Sequence, residues 1–219
     1  MHTLWSAWVQ YLPDYMKGVR VTLELTGASL VVAVVFGFLL ALARLSKLRV
    51  LDFVATAYVE IVRAVPVLII LFICYYSLAQ AGLKLSGPVA AVVGLGGFYA
   101  TLYGEIFRGA IMGVDRGQKE AAAALGMPGS LTMRKIILPQ AFFIILPPAT
   151  NQLSNLIKDT SLVFTIAVAD LMFHANAASA NNFLPLDMLL LAGVIYFLFY
   201  LILSKLLARW ELNVQRRRS

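Results

Sequence analysis

Val21 to Ala43 is a run of 23 residues with a single charge, Glu24, near its beginning. A helix crosses the hydrocarbon of a bilayer with about 20 mostly apolar residues, so this segment alone commits the chain to a membrane. Composition agrees. Apolar residues make up 61% of the 219 and charged residues 13%, about half the charge a soluble domain carries on its surface. There is no room beside the spans for a large soluble domain. The formal net charge of +7 does not read as a nucleic-acid surface, because the lysines and arginines form short clusters beside apolar runs, with no basic stripe of interleaved aromatics. Clusters of that kind mark cytoplasmic loops. The single cysteine, Cys74, sits in an apolar run and has no partner for an internal disulfide; it reads as a small buried hydrophobe.

Four further segments have membrane character. Phe53–Ala79 carries Glu60, Arg63 and Pro66 in its first half, and Gly87–Gly104 is uncharged and rich in glycine, with room to continue to Ile111. Ile136–Ile157 contains Pro139, Pro147 and Pro148, which predict a bent span. Met188–Ser204 is short and clean. The first residues lack a basic start followed by an apolar core, so no cleavable signal is expected. Trp5, Trp8, Tyr11 and Tyr15 predict instead a short interfacial helix over residues 1–17, on the outer side. Leu162–Ala180 is ambiguous, apolar at first and then broken by "FHANAASANN".

Charge resolves that ambiguity. Five spans with the N-terminus outside place Arg44, Lys47, Arg49, Arg108, Arg116, Lys119, Arg134, Lys135, Lys205, Arg209, Arg216, Arg217 and Arg218 inside, thirteen positives in all. Only Lys17, Arg20, Lys84 and Lys158 remain outside, Arg63 lying within a span. A sixth span over Leu162–Ala180 moves the C-terminal five across and erases the asymmetry. An all-α protein of five transmembrane helices, with residues 114–135 and a basic tail over 205–219 in the cytoplasm, is therefore expected.

Residues 114–135 form the least membrane-like stretch. Glu120–Leu125 are strong helix formers and Gly126 stands where a helix would end. A second short helical piece, Ser130–Ile136, follows "GMPG" before the chain returns to the membrane. The alanines keep one side flat enough for another protein to approach closely. On these grounds a docking element and an ordinary connecting loop stand level.

The spacing of this stretch resembles the signature of permease subunits of bacterial ATP-binding-cassette importers: E-A-A, three residues, G, nine residues, I, one residue, L-P. Here it reads Glu120-Ala121-Ala122, Gly126, Ile136 and Leu138-Pro139. "GVRVTLELTGASL", "YVEIVRAVPVLI", "YGEIFRGAI" and "IKDTSLVFTIAVADL" are similar to the polar amino-acid uptake branch, so the resemblance covers almost the whole chain. It implies a type I importer permease fold in a bacterial inner membrane. It also implies a coupling helix that sits in a groove of a cytoplasmic ATPase dimer, a second permease subunit (identical or related), and an external or periplasmic substrate-binding protein that delivers an amino acid. By that resemblance Glu120, Ala121, Ala122 and Gly126 make the coupling contact, and Pro139 fixes where the fourth span begins.

This chain is not expected to be an enzyme. It contains no G-x-x-x-x-G-K-[S/T] phosphate loop, and the dipeptide Gly-Lys never occurs. ATP and its Mg²⁺ would belong to the partner ATPase, and this chain would carry no cofactor. His174 has no histidine neighbour in sequence, so no metal site is expected.

For a substrate path, Glu60 and Arg63 at i and i+3 either neutralise one another or form a gate between spans. Asn151 and Asn155, four apart, with Gln152 and Lys158–Asp159 continuing the polar face, suit either an inward-facing path or polar helix packing. Asp159, Thr160 and Ser161 are good N-cap residues. A half-helix beginning there would point its positive end at a substrate carboxylate, with Lys158 as an alternative and Glu60, Asp159 or Asp170 available to the ammonium. Gly109 and Gly113, spaced G-x-x-x-G, predict close helix packing or a subunit interface. The rival readings are an ion-gradient-driven secondary transporter, against which the odd span number stands, and a membrane-embedded assembly protein.

Overall fold

The computed structural model describes residues 4–216. The side chains of Trp5 and Arg216, and all of Arg217 and Arg218, lie outside the described part. Eight helical segments account for the fold: α1 Leu4–Leu45, α2 Arg49–Ala64, α3 Val67–Gln80, α4 Gly87–Met112, α5 Arg116–Ala124, α6 Gly129–Ile166, α7 Leu171–Asn182 and α8 Pro185–Arg216. Among the described residues, α1, α4, α6 and α8 are long and apolar enough to cross a membrane, and the α2–α3 pair makes a fifth span if its bend is counted within one crossing.

That bend is 106°. It falls at Pro66, which has no N–H to continue the helical ladder. Val65 before it adopts φ −100°, ψ 133°, the extended geometry that a following proline imposes. The sequence pointed to a single span over Phe53–Ala79; the chain instead turns sharply inside it.

Residues 4–17 run into the first span without a break. At 1.5 Å per residue the 42 residues of α1 extend roughly 63 Å, about twice the hydrocarbon thickness. The surplus packs on the start of α8. Tyr15 is fully buried and its hydroxyl donates to the carbonyl of Met188 at 2.9 Å, Tyr11 donates to Asn182 Oδ1 at 2.9 Å, and Trp8 Nε1 donates to the carbonyl of Asp187 at 3.2 Å. The aromatics expected at a membrane boundary thus hold the two helix starts together.

At the far end of α1, Arg44 ion-pairs with Glu105 of α4, and Glu105 also accepts from Arg108 Nη2 at 3.0 Å. A cluster of Ala110, Ile111, Val114, Ile137 and Ala141, with Leu45 against it, joins the same end to the start of α6. The starts of α1 and α8 therefore share one end of the bundle, and the α1–α2 and α4–α5 turns share the other. Leu162–Ala180 is not a sixth span. It continues α6 as a 3₁₀ turn over Thr160–Ile166, breaks at Ala167 (φ 57°), and becomes the short α7.

α7 starts at Asp170, not at the residues expected to cap a half-helix. Asp159 makes no capping hydrogen bond with its side chain, and the Thr160 hydroxyl donates backwards to the carbonyl of Ile157 at 2.7 Å. Asp170 is fully buried, accepts from the Phe173 N–H at 2.9 Å, and receives the Tyr196 hydroxyl at 3.3 Å. Beside it, the Leu171 N–H donates to Thr22 of α1 at 3.2 Å. Burial raises the Asp170 carboxyl to about 6, against the lowering effect of these donors. Because the folded state holds the proton more tightly than the unfolded chain, burying this charge costs stability as pH rises from 4 through 6. Asp170→Asn keeps an N-cap residue and removes the titration. The unfolding free energy it loses in detergent between pH 4 and pH 7 is expected to be smaller than that of the unsubstituted protein, by about 2–3 kcal/mol at most.

α1 and α4 approach backbone to backbone at Gly37, where a Cβ would lie 2.8 Å from the Ala100 carbonyl and 3.0 Å from the Gly104 nitrogen. Gly109 and Gly113 do not serve this purpose within the chain. Gly109 has open space where a side chain would sit, and the nearest neighbour of Gly113 is the Gly109 carbonyl of its own helix.

Candidate functional site

α5 is a nine-residue helix with both ends closed. At its start the Asp115 carboxylate accepts from the Gly117 N–H at 2.7 Å. At its end Met127 N–H donates to the Ala122 carbonyl at 3.0 Å and Gly126 N–H to Ala123 at 2.9 Å. This pair of bonds is the Schellman motif, which needs a left-handed residue, and Gly126 supplies it with φ 72°. The helix is held against α6: Gln140 Nε2 donates to Gln118 Oε1 at 3.2 Å and to the Ile136 carbonyl at 3.0 Å. A hollow of about 440 Å³ lies between α5 and α6, with Lys119, Ala123, Met127 and Met133 among its walls.

The signature stretch divides into two halves that face opposite ways. Glu120, Ala121 and Gly126 are exposed, as are Ala123, Ala124 and Leu125, the last at 79%. Ile136 and Leu138 pack into the cluster at the end of α4. Ala122 also turns inward, 1% exposed, away from the face that Glu120 and Ala121 present. Pro139 does not begin a span. α6 runs through it from Gly129, with a π-helical turn over Met133–Ile137 just ahead. A proline ring clashes with the carbonyl four residues earlier, here Lys135, and a widened turn relieves that clash.

Along α6, Pro147, Asn151, Asn155 and Lys158 are exposed and recur at spacings of four, four and three. They form one polar strip pointing away from the rest of the chain. Asn155 Nδ2 reaches Gln152 Oε1 at 3.5 Å. Asp159 belongs to a different contact: the Tyr99 hydroxyl of α4 donates to its Oδ2 at 2.7 Å, while Tyr103 donates to the Ala149 carbonyl at 3.0 Å. Ser161 is half-buried and Thr160 fully buried. Glu60 and Arg63 are both exposed on α2 and form no ion pair with one another. Sequence reasoning missed the Arg44–Glu105–Arg108 group, although the i, i+3 spacing in "GEIFRG" was a signal for half of it. Nothing in the sequence pointed to the Tyr99–Asp159 bond, which joins residues 60 apart. Among the described residues no cluster of three metal-ligating side chains occurs.

The family of binding-protein-dependent transport system inner membrane components matches residues 33–218, and the chain belongs to it. It is thus a multi-pass inner-membrane component of a transport system. Among relatives it is 39% identical over 188 residues to the probable amino-acid ABC transporter permease protein YckA of Bacillus subtilis, covering 86% of this chain and 83% of that one. It is 35% identical to the arginine transport system permease protein ArtQ of the same organism, covering 93% and 94%. The glutamate/aspartate import permease protein GltK of Escherichia coli is 35% identical, with 93% and 95% covered. A solved amino acid ABC transporter with histidines superposes with a TM-score of 0.90 at 33% identity, over 94% of this chain and 96% of that one. The MetNI methionine ABC transporter, at 21% identity and TM-score 0.72, shares the fold.

Proposed function

We propose that this chain is the permease subunit of an ATP-driven importer of polar amino acids or similar small zwitterions. The observation that carries the coupling half of this reading is α5 itself, a helix with both ends capped that presents Glu120, Ala121 and Gly126 outward at the end rich in Arg44, Lys47, Arg49, Arg108 and Arg116. Basic residues collect on the cytoplasmic side, which supports an N-terminus outside and a C-terminus inside. The cargo class rests on the amino-acid relatives and the amino-acid transporter of like fold.

A cytoplasmic ATPase dimer, carrying ATP and Mg²⁺, would seat on α5 of each of two permease chains. An external binding protein would deliver the solute at the opposite end. ATP closes the ATPase pair, the two α5 helices move together, and α6 carries that motion through Gln118–Gln140 into the span. The polar strip of Asn151, Asn155 and Lys158 is exposed on the single chain, as expected for a path completed by a second copy. Glu60 and Arg63, free of one another, are available as gate residues.

Replacing Asn155 and Lys158 together with alanine is expected to reduce uptake at least tenfold without loss of assembled complex. Unchanged uptake kinetics would remove the strip from the path. An ATPase that co-purifies after gentle extraction separates this reading from an ion-driven carrier, which needs none.

A further inference from the structure

The α1–α2 hairpin leaves a groove of about 280 Å³ open to the outside of the bundle. Phe36, Leu39 and Ala43 line it from α1, and Leu51, Val54 and Tyr58 from α2. Its deep end is closed by the rings of Phe36 and Tyr58, edge to face with centroids 5.3 Å apart. Past Ala43 and Leu51 at its other end the chain turns over Ser46–Leu48, and there Lys47 and Arg49 are exposed and neither meets a carboxylate within ion-pair distance. Arg44 is not available there, being paired with Glu105. Asp52, one turn into α2, lies 3.4 Å from the Thr56 hydroxyl. Beyond the groove, α2 continues to present apolar surface, with Val50 and Phe53 each 74% exposed.

We propose that this groove binds an anionic phospholipid, its acyl chain between α1 and α2 and its headgroup phosphate on Lys47 and Arg49. The two parts of the site match the two parts of such a lipid in order along the hairpin. The lining is hydrocarbon from the Phe36–Tyr58 floor to Ala43 and Leu51, and the unpaired cations stand where the chain turns at the membrane surface. Basic pockets between membrane helices are built to hold anionic headgroups. A lipid seated there would also fill the gap between the two helices beside the cluster of Leu40, Ala55, Val59 and Ala100. The site does not depend on which solute the protein carries.

Native mass spectrometry of the assembled importer, delipidated and then incubated with equal amounts of dioleoylphosphatidylglycerol and dioleoylphosphatidylcholine, tests the proposal. Retained phosphatidylglycerol is expected to exceed phosphatidylcholine. Each surface cation contributes about five-fold to anionic-lipid binding. Lys47→Gln with Arg49→Gln should therefore lower the preference on the order of twenty-fold. Ala43→Phe, which fills the groove, should reduce retention of both lipids; Leu51→Trp does the same from α2 if the first variant yields no protein. Equal retention of the two lipids, a preference that survives the double variant, or retention unaffected by groove filling would each overturn the proposal. So would disulfide cross-linking of two chains through Leu51→Cys in a Cys74→Ser background, because a second copy would then occupy the groove.

Discussion

Gly126→Val is expected to abolish transport while leaving the chain in the membrane, and Gly126→Asn is expected to preserve it. The difference isolates what the glycine does. At φ 72° a β-branched residue carries strain of about 1–3 kcal/mol, enough to shift the turn tenfold or more toward other conformations. Asparagine tolerates the left-handed region. No atom of the chain lies within 4 Å of where a Cβ would stand, so size alone costs nothing within this subunit. When Gly126→Val unwinds the Schellman turn, α5 loses the bonds from Met127 and Gly126 that terminate it, and the face carrying Glu120 and Ala121 no longer keeps one orientation. The readout is ATP hydrolysis stimulated by substrate-loaded binding protein in reconstituted complex. It should fall at least tenfold for valine and stay near the unsubstituted value for asparagine. Loss of stimulation with both variants would mean that the partner requires bare glycine, and the role would move from turn to contact.

Gly37→Leu should have the larger effect on folding. A side chain there meets backbone, the Ala100 carbonyl at 2.8 Å and the Gly104 nitrogen at 3.0 Å, and backbone within a helix pair cannot step aside as a flexible side chain can. Overpacking of this kind costs about 1–3 kcal/mol even where neighbours yield. Here it also drives α1 from α4 and pulls Arg44 away from Glu105, leaving a partly buried ion pair broken. Loss of the monodisperse peak in detergent is the expected result. Gly27→Leu is the control, because Gly27 on the same helix has open space around it. Equal behaviour of the two variants would show that the α1–α4 contact is not what holds the bundle.

The membrane character, the four or five crossings and the polar helical loop between the third and fourth were legible in the sequence, for two physical reasons. Hydrocarbon demands long apolar runs, and the clustering of lysine and arginine records which turns share an end. The structure bears out the second point through contacts that charge counting cannot see, with Arg44 reaching Glu105 and the Tyr15 hydroxyl reaching Met188. Local backbone events were less legible. Pro66 bends its span sharply, whereas Pro139 is absorbed in α6 by a π turn; a proline looks the same in both places, and packing decides between them. The capping residue of the late half-helix was placed at Asp159–Ser161 when it is Asp170. All are competent caps, and only the 3₁₀ continuation of α6 disqualifies the earlier ones.

Residues 120–126 were read correctly as a helix closed by Gly126, but the inward turn of Ala122 was not visible. Which alanine of the four turns inward depends on where α5 settles against α6. The polar strip on α6 was recognisable from its i, i+4 amides. Tyr99 and Tyr103 were not, because their partners are brought near only by the packing of α4 on α6.

On the proposed mechanism, ATP hydrolysis on a separate subunit drives this permease through α5. Right-side-out proteoliposomes containing the complete complex, with ATP and Mg²⁺ inside and the binding protein with labelled amino acid outside, test it most directly. Accumulation should require both ATP and the binding protein and should persist when ionophores collapse all ion gradients. Uptake that proceeds without ATP and disappears with the ion gradient would contradict the claim.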